Sequence, residues 1–237
     1  MRSAAPWLAL VALAGCGGGE DGGSRERPDP VRASPTGTVV TTSESRPTGE
    51  PAPLPGPEAG PTVLGRLRKL SERETSEDER LGAAATALTN RSIEVFCWSA
   101  KGWRRIQALM GAALEEEGYE LIGTVDVYAY DVHLHPEVCR ILAEGGEPGL
   151  TLAEAIYIFA HEVAHLTRGS NEVVVSCYAL QRVDEFAEEL GLSPGQARAV
   201  AALVWEEVYP AGPPGYLSDE CGPGGTLDLE PATAEWP

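Results

Sequence analysis

TLAEAIYIFAHEVAHLTR, residues 151–168, decides how this chain is read. Thr151 with Glu154 predicts a capping box, and Gly169 marks the end of a helix that runs to about Arg168. Ile156 and Phe159 predict a core-facing turn ahead of His161-Glu162-Val163-Ala164-His165. Histidines four residues apart lie one turn apart on one helix face. Their imidazoles can therefore converge on a single metal ion. Glu162 follows His161 by about 100 degrees around the helix, so it can approach water at that ion without ligating it. Two of the four histidines in the chain fall in this pattern. The competing reading is an ordinary helix carrying two solvated or hydrogen-bonded histidines.

A catalytic zinc needs a third protein ligand and an open position. Gly169 breaks the motif helix, and Asn171-Glu172 opens the next one, with Ser170 or Asn171 as its cap. A reversal at Gly169 could return Glu172 to the metal. Alternatively, Glu172 only complements the positive end of its own helix. Asp184, Glu185 and Glu188 are weaker candidates further along, on a helix expected to reach Gly191. His133 and His135 could supply a nitrogen but sit at a strand-to-proline junction, where exposure is the simpler expectation.

The motif with the later Asn171-Glu172 resembles the gluzincin clan of zinc metallopeptidases. The stretch from Glu172 through Ser176, Cys177 and Tyr178 also resembles a family of bacterial neutral zinc metallopeptidases, whose third-ligand helix runs Glu, three residues, Asp, Cys, aromatic. The likeness covers about 30 residues, between Thr151 and Leu180. It implies Zn2+ held by His161, His165 and Glu172, with Glu162 as general base in hydrolysis of peptide bonds by zinc-activated water. Two departures stand out: the loop from His165 to Glu172 is shorter than in those families, and Ser176 replaces an aspartate that orients a ligating histidine. An oxyanion donor is also required, and Tyr178, Tyr216 and His133 have suitable chemistry. A zinc-holding or disulfide-stapled surface module without turnover is the alternative.

Around this helix the chain predicts an α+β domain, a small zincin-like fold with a short β-sheet packed on the motif helix. Residues 81–88 and 103–117 read as helices, and 73–80 as a charged loop or solvated face. Residues 93–98 read as a strand. Residues 119–133 read as a second β stretch, with Val125, Val127 and Ala129 alternating with Asp126, Tyr128 and Tyr130 as in a half-exposed strand. This second stretch is the candidate edge for an extended substrate. Pro136 opens a short helix, and Ser193, Pro194 and Gln196 start another that ends by Tyr209.

The N-terminus gives the domain a setting. Arg2, a short apolar run and Leu13-Ala14-Gly15-Cys16 resemble a bacterial lipobox, implying a signal peptide over 1–15 and lipid on Cys16. The apolar run is too short to span a bilayer. Residues 16–61 are rich in Gly and Pro and lack aromatics, predicting a disordered tether. Residue 63–70 helix propensity then opens the folded domain over 62–237. Export to the bacterial cell envelope makes the even count of remaining cysteines, Cys97, Cys139, Cys177 and Cys221, read as two disulfides. Three pairings are open. A net charge of -18 argues against nucleic acid and anionic lipid as partners. The expected partners are a peptide or protein substrate, and the membrane through the lipid anchor alone.

Overall fold

The computed structural model describes residues 74–110, 121–229, 231 and 236. The signal peptide, Cys16, the tether and the 63–70 helix lie outside the described residues. The fold is α+β: seven α-helices and a four-stranded mixed sheet among the described residues. The strands are β1 (Thr75–Glu77), β2 (Glu94–Trp98), β3 (Gly123–Asp126) and β4 (Asp131–Leu134). The helices are α1 (Glu79–Thr89), α2 (Ala100–Met110), α3 (Pro136–Glu144), α4 (Leu150–Arg168), α5 (Glu172–Leu180), α6 (Val183–Glu189) and α7 (Pro194–Leu203). None is long and apolar enough to cross a membrane.

The sheet order is β1-β2-β4-β3. β2 and β4 are parallel, and both edge strands are antiparallel to their neighbours. Alternation along the strands sorts two cores. Val95, Val125, Val132 and Leu134 join the large core built around α4. Phe96 and Trp98 face the other way, onto Trp103, Ile106 and Leu121. Because both faces are covered, every residue of β3 and β4 is buried. Helix α4 is buried almost from end to end, from Leu152 to Leu166, as befits a central helix.

Four sequence expectations change in detail. Within the second β stretch, Gly123–Asp126 and Asp131–Leu134 form a buried hairpin, and the half-exposed alternation expected over 125–130 is interrupted by its turn. Asp126 Oδ1 accepts from the backbone N–H of Tyr128 at 3.1 Å and of Ala129 at 3.2 Å, turning the chain, and Tyr130 adopts a φ of 58°. The charged run supplies β1 and then Asp78, whose Oδ1 caps α1 by accepting from Leu81 N–H at 3.0 Å. Helix α4 starts one residue before Thr151, with extended Gly149 as its cap, so no capping box forms there. The helix expected over 172–191 breaks at Gln181, whose side chain is drawn off to the C-terminal segment. Its amide donates to the Leu227 carbonyl at 3.0 Å, and its Oε1 accepts from Leu229 N–H at 2.7 Å. The start expected at Ser193 forms, with Ser193 N–H donating to Gln196 Oε1 at 3.1 Å.

The cysteines pair as Cys97–Cys139 and Cys177–Cys221. The first ties β2 to α3, and the second ties α5 to the C-terminal segment. Each closes a loop spanning 42 or 44 residues. Constraining an unfolded chain over that length stabilises by about 4 kcal/mol in the chain-entropy account.

Candidate metal centre

Helix α4 presents His161 and His165 on one face, both buried. Gly169 then takes a φ of 87°, a conformation that glycine adopts readily, and the chain reverses. Asn171 caps α5, its Oδ1 accepting from Val174 N–H at 3.2 Å. Glu172 therefore enters the first turn of α5 directly against the two histidines. The short loop brings this acid home rather than keeping it away.

Three donor atoms converge. His161 Nε2 lies 3.0 Å from His165 Nε2, Glu172 Oε2 lies 3.1 Å from His161 Nε2, and it lies 3.4 Å from His165 Nε2. Donors about 2.0–2.1 Å from a tetrahedral zinc sit roughly 3.3 Å from one another. The triangle therefore has the dimensions of one face of such a site. Among the described residues this is the one group of His, Cys, Asp or Glu side chains gathered closely enough to hold a metal ion.

The outer nitrogens fix how the rings present themselves. His165 Nδ1 lies 2.9 Å from the Gly169 carbonyl oxygen. A carbonyl only accepts, so Nδ1 carries the hydrogen and Nε2 of the neutral ring offers a lone pair. His161 Nδ1 lies 3.3 Å from the Ser176 hydroxyl, which can accept from it in the same tautomer. Burial is the main cause that holds the His161 imidazole down to about 4, so it is neutral at physiological pH. Burial works to raise the Glu172 carboxyl, but its contacts with His161 and His165 overcome this and take it down to about 2. The two imidazole nitrogens and the carboxylate oxygen thus face one another at short range. The donor set of two imidazoles and a carboxylate suits zinc, and each imidazole has the outer partner that ligating histidines use.

No family model, no curated protein and no solved structure matches this chain.

Glu162 is fully buried, and neither carboxylate oxygen has a hydrogen-bond partner among the described residues. Burial, reinforced by the nearby Glu172 charge, pushes its carboxyl well above the ordinary range. Tyr216, in a 3₁₀ turn (Pro214–Tyr216), stacks on the His161 ring with centroids 5.7 Å apart. The other two tyrosine or histidine candidates are engaged elsewhere. The Tyr178 hydroxyl accepts from Arg182 at 2.6 Å while Arg168 lies over its ring. His133 is buried on the far face of the sheet, its Nδ1 accepting from Trp98 Nε1 at 3.0 Å. His135 caps α3 by accepting from Glu137 N–H at 3.2 Å. Asp184, Glu185 and Glu188 stay outside the cluster, because the break at Gln181 separates α6 from α5. Cys177 is committed to its disulfide.

Two partners of the centre escaped the sequence. The Gly169 carbonyl acts on His165, whereas the sequence marks this glycine as a helix stop and a point of reversal and not as a partner. Gly123, on edge strand β3, touches Glu162, and nothing but an isolated glycine in a strand pattern hints at it.

Ser176 gives a graded test of the outer shell. Ser176→Ala is expected to weaken zinc binding by about 10–100-fold without abolishing it. Competition against a chromophoric chelator measures this; unchanged affinity would show that the hydroxyl does not orient His161.

Proposed function

We propose that this chain is a zinc-dependent peptidase. The observation that carries the reading is the convergence of His161, His165 and Glu172 within 3.0 to 3.4 Å, with Glu162 on the same helix. Zinc held by these three would supply Lewis acidity, polarising a carbonyl and acidifying water. Glu162 takes a proton from the attacking water and passes it to the leaving amine. The Gly169 carbonyl and Ser176 hold the imidazoles in the tautomer that faces the donors inward. Edge strand β3, beside Glu162, is the candidate rest for an extended peptide.

The setting belongs to the same proposal. Two disulfides support an oxidising compartment. With the lipobox resemblance at Cys16, they support a peptidase anchored by lipid on the outer side of a bacterial membrane.

One observation favours a second reading. Glu162 is fully buried, and the Glu172 side chain is only 22% exposed. A centre so enclosed also suits a module that keeps zinc without turning over substrate. Metal analysis and peptide cleavage separate the two. The purified protein is expected to hold one zinc per chain and to cleave a broad peptide library in a chelator-sensitive way, while Glu172→Ala loses both. Absence of zinc from wild type would end both readings. Zinc without cleavage would select the second.

A further inference from the structure

We propose that Gly123 is a positioning residue for Glu162: the bare backbone of β3 is the seat on which this carboxylate rests. The catalytic part of the inference depends on the peptidase reading; the seat itself does not. A Cβ at position 123 would lie 2.4 Å from Glu162 Oε1 and 2.6 Å from both its Cδ and its Cγ. Contacts that short do not occur, so no other amino acid fits here while Glu162 keeps its place.

The glycine is not there for its backbone freedom. Gly123 is absent from the glycines with positive φ, and it pairs with Leu134 in ordinary antiparallel register. A glycine inside a strand forgoes side-chain packing and carries extra unfolded-state entropy. Its neighbour Ile122 is fully buried and Val125 nearly so, so a side chain at 123 would otherwise be useful for packing. What the missing side chain admits is Glu162.

Steric fit also has to do what hydrogen bonds usually do. Neither Glu162 oxygen is hydrogen-bonded among the described residues, and the side chain is fully buried. Nothing polar on those residues fixes its rotamer. The close approach of Glu162 to the bare backbone at Gly123 therefore sets where the carboxylate points, leaving both oxygens uncommitted and able to meet a reacting proton. Alanine at 123 displaces the carboxylate while leaving His161, His165 and Glu172 in place.

The test is a pair of alanine substitutions read two ways. Gly123→Ala is expected to retain stoichiometric zinc and to lower kcat by about 10²-fold, the scale of a small misplacement of a reacting group, with KM changed far less. Its thermal midpoint is expected to fall. In a Glu162→Ala background, where Cγ and Cδ are gone, the same substitution is expected to lower the midpoint little or not at all. An equal drop in both backgrounds would overturn the seat. Wild-type kcat in Gly123→Ala would overturn the positioning role. A wild-type protein with no hydrolytic activity would count against the peptidase reading instead, and the thermal comparison would still decide whether Gly123 seats Glu162.

Discussion

His161→Ala is expected to abolish zinc binding and to erase the stabilisation that zinc gives the fold. His161 is the hub of the cluster: its Nε2 lies 3.0 Å from His165 and 3.1 Å from Glu172, while its Nδ1 lies 3.3 Å from Ser176. Removing it leaves one imidazole and one carboxylate, too few donors for a tight site. The loss should exceed the roughly 10–100-fold that an outer-shell partner is worth. Binding to the native state alone adds about 4 kcal/mol of stability when free zinc is a thousand times the dissociation constant. The wild-type thermal midpoint should therefore climb with added zinc, and that of His161→Ala should stay flat. Stoichiometric zinc in the purified variant would sink the proposed centre.

Glu162→Gln is expected to keep zinc and lose hydrolysis. The amide matches the carboxylate in shape, so it still fits against Gly123, but it cannot accept the proton. Loss of general-base chemistry corresponds to about 10²–10⁴-fold in kcat. A zinc-loaded Glu162→Gln protein with full activity would refute the mechanism. The same variant carries a pH signature in chelated protein. Folding raises the Glu162 carboxyl well above its ordinary value of 4.5. Such a group's contribution to stability is fully present below that value and is lost as pH rises through the folded-state value. Glu162→Gln has no such dependence. It should therefore gain on wild type as pH rises above 4.5, and the thermal midpoints followed against pH should diverge in that direction.

Local signals made much of this legible from sequence. The His-Glu-x-x-His spacing places two imidazoles on one face because helical geometry leaves little choice. Gly169 and Asn171 announce the stop, the reversal and the next cap, which is enough to suggest that Glu172 returns. Where reading failed, the cause was a contact between distant segments. Nothing in the pattern reveals that Asp126 will turn the chain, so the alternation over 125–130 passes for a half-exposed strand where a hairpin buried on both faces forms. His133 looks surface-bound until Phe96 and Trp98, from another strand, close over it. At the helix break, backbone groups at 227 and 229 hold the Gln181 side chain, a contact between segments that no local pattern announces. Gly123 is the sharpest case, because its role depends on a side chain 39 positions away (162 - 123).

The sulfur bond between Cys177 and Cys221 joins the two segments that flank His161. Cys177 follows Ser176 directly on the stretch that begins with Glu172, and Cys221 lies just beyond Tyr216, whose ring covers His161. A milieu rich in free thiols would free both segments from one another, leaving the two imidazoles on their own rod. Newly made chain would then carry the two imidazoles before the segments around them are tied, until the sulfurs had met.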